Sequence, residues 1–149
     1  MDEPIFLDEG DPSQWRLAIR VLAMPADTNA AGDVFGGWLM SQADIAGATV
    51  AVQAAAGRVV TVAVNEFRFV SPVAVGDLVD IYARVQRMGT TSVRVEIRAW
   101  ARREMDPESH HHVATASITY VAVGADGRPR PIPPAVSPEL PQDPDLTRR

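Results

Sequence analysis

The fold is decided by residues 26–57, which read ADTNAAGDVFGGWLMSQADIAGATVAVQAAAG. Between Asp33 and Arg58 the only ionisable side chain is Asp44. From Gly36 or Gly37 to about residue 56, apolar residues occur on nearly every side of a helical projection, which is typical of a buried helix. Gly57 is a plausible end for that helix. The stretch therefore predicts one long buried helix that carries a single carboxylate near its middle.

The rest of the chain is dominated by segments that predict β-strands. Residues 16–24, 78–86 and 92–102 alternate apolar and polar side chains, and residues 113–123 form the last strand. Residues 59–70 are apolar on both faces in their first half, as a central strand is. A tight turn at residues 88–90 makes 78–86 and 92–102 antiparallel neighbours. The pattern predicts an α+β domain in which one helix packs on a mainly antiparallel sheet.

A helix that is apolar all round cannot be covered by one sheet alone. Its far side needs another surface, and the simplest such surface is a second copy of the chain. The sequence therefore predicts self-association.

Length and composition narrow the possible functions. A chain of 149 residues fits one domain at residues 16–134, between an N-terminal segment 1–15 and a proline-rich tail 135–149. From Arg128 onward the chain is expected to be extended or disordered. The net charge of −5 and the lack of a basic stripe argue against nucleic acid as a partner. No leader or membrane span is expected, and the lack of cysteine fits a cytoplasmic protein.

Two clusters of polar residues allow more than one interpretation. Arginines are concentrated in residues 84–103, either as a solvated strand face or as a site for an anionic ligand such as phosphate; they are Arg84, Arg87, Arg94, Arg98, Arg102 and Arg103. His110, His111 and His112 are expected in a loop, where consecutive side chains seldom converge on one metal ion. No Gly-x-Ser-x-Gly elbow or P-loop occurs, which argues against serine hydrolases and nucleotidases.

Several segments together resemble the YciA-type bacterial acyl-CoA thioesterases of the hotdog fold. The most specific is MPADTNAAGDVFGGWLMSQADIAGA, with its D-T-N-x-x-G-x-x-F-G-G…D pattern. GRVVTVAVNEFRFVSPVAVGDLVDIYARV, GTTSVRVEIRAWARR and ITYVAVGADGRPRPIP extend the resemblance over about residues 17–134. It implies a long helix wrapped by a curved antiparallel sheet of five to six strands. It also implies dimers with one continuous sheet, commonly assembled into hexamers.

The activity implied is hydrolysis of acyl-CoA thioesters to free coenzyme A and a carboxylic acid. No separate cofactor is implied, since coenzyme A is part of the substrate. By resemblance, Asp44 is the catalytic acid, either as a general base on water or as a nucleophile that forms a transient anhydride. Seven residues separate it from Gly37, about 10 Å of helix rise, so it is too deep to be an N-cap. A purely structural alternative places Asp44 in a polar gap at a subunit interface.

The resemblance assigns roles to residues before and at the start of the helix. Asn29 is by itself a turn residue, and by resemblance it completes the site opposite the aspartate of the partner subunit. Gly36 and Gly37 offer free N–H groups where an oxyanion would sit, or merely flexibility at the helix entry. Phe35, with Trp38 and Phe67, is a candidate wall for the acyl chain and an equally good candidate for ordinary core.

The resemblance also implies contacts to coenzyme A from the start of the strand at residues 59–70 and from the turn that follows residue 88. The residues concerned are Arg58, Thr61, Val62, Gly89, Thr90, Thr91 and Ser92. They would touch the pantetheine arm and the phosphates, although a hairpin turn and a solvated arginine explain them equally well.

Two other functions compete with thioester hydrolysis. Hotdog hydratases and dehydratases use a histidine paired with an acid, whereas the histidines here all lie late in the chain. A non-catalytic module that senses or stores acyl-CoA is the other alternative, and binding without hydrolysis would identify it.

Overall fold

The structure is a computed structural model that describes residues 11–134. One long helix and five long strands run through this part of the chain. In chain order they are β1 (Arg16–Leu22), α1 (Gly36–Ala55), β2 (Val59–Phe69), β3 (Leu78–Met88), β4 (Ser92–Arg102) and β5 (His111–Ala122). The strands form one sheet in the order β1-β3-β4-β5-β2, and every neighbouring pair is antiparallel. This confirms the predicted α+β architecture with one helix and a five-stranded sheet.

The core lies between α1 and the sheet. The helix contributes mostly small buried residues, with Leu39 and Val50 as the larger ones. Alternate residues of β3, β4 and β5 meet them with Val, Ile and Ala side chains that are almost completely buried. The alanine-rich helix face therefore lets the sheet approach the helix backbone closely.

The C-terminus of α1 is closed by a backbone turn and one arginine. Ala56 adopts the left-handed conformation with φ of 54°, and the Gly57 N–H donates to the carbonyl of Val52 at 3.1 Å. The Nη2 of Arg130 donates to the carbonyl of Ala55 at 2.9 Å. A Cβ atom at position 57 would lie 2.7 Å from that nitrogen. Glycine at position 57 therefore leaves room for the arginine that caps the helix.

Two adjoining surfaces of the single chain remain uncovered and apolar. On α1, Ile45 and Val52 are 54% and 43% exposed, and on β2 Val62, Val64 and Phe69 are 53%, 42% and 54% exposed. The prediction that β2 is a central strand is wrong for the single chain, in which β2 is an edge strand. Apolar side chains lie on both faces of β2, and the single chain covers only one of these faces.

β2 is also irregular along its length. Its register against β5 shifts between Thr61 and Ala63 and again between Val64 and Glu66. Val62 and Asn65 are therefore the extra residues of two bulges. Bulges bend a strand and re-aim its side chains, so β2 curves around the helix next to Thr61.

The arginines of residues 84–103 lie mainly among acidic partners. Arg84 and Arg98 both pair with Glu96, and both guanidinium groups lie over the Trp15 ring, at 4.5 and 4.8 Å from its centre. Arg102 contacts the fully buried carboxylate of Asp80 at 2.8 Å. These ion pairs favour the interpretation of a strand face over that of an anion site.

The histidine segment differs from the prediction. β5 begins at His111, so His111 and His112 belong to a strand and only His110 precedes it. Successive strand residues point to opposite faces. His110 stacks on Trp100 with ring centres 4.7 Å apart, and His112 tilts against the same ring at 5.1 Å. Over residues 11–134 no three His, Asp or Glu side chains are placed to share a metal ion.

The ends of the described region follow the sheet. Residues 128–134, for which an extended or disordered chain is expected, lie outside the helices and strands. The N–H groups of Arg130 and Ile132 donate to the carbonyls of Ala122 and Thr90, so this segment is held against the sheet. The predicted tail 135–149 and most of the predicted segment 1–15 lie outside the described residues. In the part of the chain described, no helix combines the length and apolarity needed to cross a membrane.

Candidate active site

Asp44 is the ninth residue of α1 and lies at the border between its covered and uncovered faces. Ala43 before it is buried against the sheet, whereas Ile45 after it is exposed. The hydroxyl of Thr61 on β2 donates to Asp44 Oδ1 at 2.7 Å. Charge-assisted hydrogen bonds of this length are stronger than neutral ones. The carboxylate is thus held in one orientation at the edge of the core, with Oδ2 left to other partners.

Tyr120 on β5 also contacts residue 44. Its fully buried phenol donates to the backbone carbonyl of Asp44 at 2.7 Å. Thr61 and Tyr120 are direct cross-strand partners in the ladder between β2 and β5. Sequence reasoning missed Tyr120, although its position on the inward face with Ile118 was a usable signal, because a buried phenol requires a hydrogen-bond partner.

The start of α1 leaves backbone donors unused. Phe35 precedes the helix and provides no side-chain cap. Within residues 11–134 the N–H groups of Gly36 and Gly37 donate no hydrogen bond. A Cβ atom at Gly36 would lie 3.0 Å from the Phe69 ring, whereas one at Gly37 would meet open space. The surroundings of Gly37 are therefore the more open of the two, which leaves space for an anion at this end of the helix.

Asn29 lies in the loop before α1 and acts there as a turn residue. Its Oδ1 accepts the N–H groups of Ala31 and Asp33 at 2.9 and 3.3 Å. Because these bonds identify the oxygen, the exposed Nδ2 group is the one left over, and it donates no bond within the described residues. No hydrogen bond joins Asn29 to Asp44 within the chain. Asn29 can therefore serve a ligand only as a donor.

The residues predicted to contact coenzyme A converge at one end of the sheet. Val121 on β5 pairs with Ser92 on one side and with Val60 on the other. The strand start 58–62 and the turn 89–92 are thus two strand spacings apart, about 10 Å. The turn is tight, since the Gly89 N–H donates to the Ser92 carbonyl at 2.8 Å. The structure therefore brings these two predicted segments together, next to the Thr61 that holds Asp44.

The candidate residues for an acyl pocket separate into two groups. Phe35 is 55% exposed and lines a mainly apolar cleft of about 400 Å³ between the start of α1 and the end of β2. Trp38 and Phe67 instead pack against the buried core and do not line this cleft. Gly36, Leu39 and Phe69 are among its other walls. The cleft therefore keeps Phe35 as a candidate wall and places Trp38 and Phe67 with ordinary core.

Comparisons with known proteins agree with this architecture. Residues 31–108 match the thioesterase superfamily. The chain is 53% identical over 122 residues to the acyl-CoA thioester hydrolase YciA of Salmonella typhimurium, a match that covers 80% of this chain and 92% of that relative. Among solved structures it resembles a hexameric thioesterase from Yersinia pestis, with 49% identity, a TM-score of 0.76, and coverage of 80% of this chain and 97% of that one.

A more distant structure carries substrate-like ligands. An acyl-CoA hydrolase from Staphylococcus aureus, solved with butyryl coenzyme A and coenzyme A, is 29% identical with a TM-score of 0.72. That match covers 80% of this chain and 70% of the other. Variants of that enzyme have been solved in which an aspartate, a threonine or an asparagine is replaced by alanine.

The helix and five-stranded sheet described above are the hotdog fold that the resemblance implied. Four fifths of the chain align with these relatives at about half identity, so the similarity extends well beyond a single motif. The chain therefore belongs to the thioesterase superfamily.

Proposed function

We propose that this protein hydrolyses acyl-CoA thioesters to free coenzyme A and a carboxylic acid. The observation that carries the proposal is the carboxylate of Asp44, held at 2.7 Å by Thr61 on the border of an uncovered apolar surface. Asp44 is the only ionisable side chain between Asp33 and Arg58, and a carboxylate isolated among apolar side chains is explained where its chemistry is used. The relatives named as acyl-CoA thioester hydrolases support the same substrate class.

Asp44 has two routes to the thioester carbon. As a general base, Oδ2 takes a proton from water while the water oxygen attacks the carbonyl carbon and the thiolate of coenzyme A departs. As a nucleophile, the carboxylate attacks the same carbon, expels the thiolate and forms a mixed anhydride that water then cleaves. Both routes develop negative charge on the carbonyl oxygen. The free N–H of Gly37 is the donor we assign to that oxyanion. Water is the only co-reactant, and no cofactor is needed.

We assign the second half of the site to a partner copy of the chain. Antiparallel pairing of two β2 edges would continue the sheet and cover Val62, Val64 and the exposed face of α1. Such pairing runs the start of one β2 toward the end of the other. The Nδ2 donor of Asn29 from one subunit would then serve the carbonyl or the water activated by Asp44 of its partner. The hexameric state of the Yersinia pestis relative supports further assembly as a trimer of dimers.

The remaining predicted contacts bind the two ends of the substrate. Arg58 and the turn 89–92 would hold the phosphates and the pantetheine arm, with Thr61 and Val62 beside the thioester. Phe35 and Gly36 would border the acyl chain in the cleft at the start of α1. The aspartate, threonine and asparagine replaced in the Staphylococcus aureus hydrolase are the same three residue types as Asp44, Thr61 and Asn29.

The first experiment tests the catalytic acid. Coenzyme A release is followed with a thiol reagent for the wild type, Asp44→Asn and the control Asp126→Asn, which changes an exposed turn carboxylate. We expect Asp44→Asn to lose about 10²–10⁴-fold in kcat, the usual contribution of general acid–base catalysis, while the control retains full activity. Undiminished turnover by folded Asp44→Asn would reject the mechanism. Tight acyl-CoA binding by a wild type that releases no thiol would identify a binding module instead.

The second experiment tests whether the site is shared between subunits. Asp44→Asn and Asn29→Ala are each expected to be inactive when pure. After random subunit exchange, half of the dimers combine the two variants and each of these has one intact site, so activity returns to about a quarter of the wild type. Mixtures that stay inactive despite proven exchange would rule out a composite site.

A further inference from the structure

The hydrogen bond from Tyr120 to α1 is unusual because its acceptor is a backbone carbonyl inside the helix. A carbonyl in the interior of a helix already accepts the N–H four residues later. Asp44 nevertheless receives a second donor, the Tyr120 hydroxyl at 2.7 Å, from a strand residue 76 positions away. This carbonyl already accepts a hydrogen bond within the helix, so the helix does not require the bond to Tyr120. The bond instead ties the backbone of residue 44 to a fixed point on β5.

A glycine in α1 makes this contact possible. Gly47 lies one turn after Asp44, and a Cβ atom there would lie 2.3 Å from the Tyr120 oxygen and 3.0 Å from Cζ. No side chain fits at that distance. Glycine in a helix interior costs about 1 kcal/mol relative to alanine. Glycine at position 47 therefore makes the helix less stable than alanine would, at the position where the Tyr120 phenol contacts it.

Residue 44 is thus held twice from two neighbouring strands. Thr61 binds its carboxylate and Tyr120 binds its carbonyl, and the two are direct cross-strand partners. Their Cα atoms are therefore about 5 Å apart. Burial first, and then the charge of Asp44, raise the pKa of Tyr120 above its ordinary value. The phenol accordingly remains protonated and remains a donor at neutral pH.

We propose that Tyr120, admitted by Gly47, is a positioning residue that sets the height and rotation of Asp44 relative to Thr61. The inference rests on the proposed function. Tyr120 is fully buried under the helix, so we assign it a role in orienting the carboxylate and none in contacting the substrate. Without the hydroxyl this turn of α1 loses its tie to β5, and small displacements of a catalytic group lower the rate strongly.

The test compares kcat and KM for four proteins. Tyr120→Phe removes only the hydroxyl, and Gly47→Ala keeps the hydroxyl but forces it away. The double variant Gly47→Ala/Tyr120→Phe removes the oxygen with which the new methyl group would collide. Tyr82→Phe is the control, because Tyr82 is a buried tyrosine on the face of the sheet that points away from α1. Circular dichroism and thermal unfolding establish that each variant folds.

We expect Tyr120→Phe and Gly47→Ala each to lower kcat by about 10–100-fold with KM within about twofold. The double variant should lose much less than the product of the single losses, since both changes break one contact. Tyr82→Phe should retain full kcat. Should Tyr120→Phe retain kcat, or lose it only together with substrate binding, the positioning role is wrong. An equal loss in Tyr82→Phe would also overturn it.

The outcomes separate this inference from the proposed function. If Asp44→Asn is inactive and Tyr120→Phe is fully active, only the positioning role fails. If Asp44→Asn is as active as the wild type, the proposed mechanism fails and the positioning role fails with it.

Discussion

Replacing Thr61 by valine isolates the hydrogen bond to the Asp44 carboxylate, which we propose is catalytic. Valine keeps the volume and β-branching of threonine and lacks only the hydroxyl. The bond is 2.7 Å long and its acceptor is a carboxylate. Hydrogen bonds to charged groups contribute about 1.5–3 kcal/mol. If that whole contribution is lost in the transition state, kcat/KM falls by about 10–150-fold.

The assay is the initial rate of coenzyme A release at substrate concentrations below KM, which reports kcat/KM directly. Thr61→Ser keeps a hydroxyl and is expected to retain most of the activity. Thr119→Val is the matched control, because its hydroxyl donates to Asn65 Oδ1 at 2.5 Å between the same two strands. It lies next to Tyr120 in β5 and therefore on the opposite face of the sheet.

A rate for Thr61→Val within about twofold of the wild type would refute the reasoning, since even the lower bound of the hydrogen-bond energy predicts a tenfold loss. An equal loss in Thr119→Val would refute it too, because the effect would then come from pairing of β2 with β5 and not from the carboxylate. The expected result is a folded Thr61→Val variant whose kcat/KM lies about 10–150-fold below that of the wild type.

Two further predictions concern stability. The carboxylate of Asp80 is fully buried and contacts Arg20 and Arg102 at 2.5 and 2.8 Å. Asp80→Asn should therefore lower the free energy of unfolding, measured in urea, by about 3–5 kcal/mol. A loss below about 1 kcal/mol would contradict this. Burial lowers the pKa of His112 from its ordinary 6.5, so the unfolded chain binds this proton first as the pH falls. The free energy of unfolding should therefore decrease as the pH falls below about 6.5, and it should decrease less steeply in His112→Gln than in the wild type. If the urea midpoints of the wild type and His112→Gln change in parallel between pH 7 and 5, His112 does not have this role.

The elements themselves were largely predictable from local pattern. The apolar run after Phe35 and the glycine at position 57 placed α1 correctly, because helix periodicity and termination are local properties. Alternation placed β3 and β4 for the same reason. Asp44 stood out as a candidate since a carboxylate in an apolar helix needs an explanation. The roles proposed for Asn29 and for the residues assigned to coenzyme A binding came from the resemblance and not from the pattern.

Long-range pairing decided the rest. β2 reads as a central strand, yet it is the edge of the sheet, because strand order depends on which distant segments pair and on whether another chain supplies cover. His111 and His112 belong to a strand because they pair with β4, and the residues near them in the sequence do not predict this pairing.

Tyr120 shows the division most clearly. Its inward position follows from strand alternation, but its bond to the carbonyl of Asp44 spans 76 residues and depends on how the helix is set on the sheet. Residue types and periodicity are written along the chain, so a pattern reveals which side chains face the core. The distance between two such side chains is a property of the packed layers, and only folding determines it.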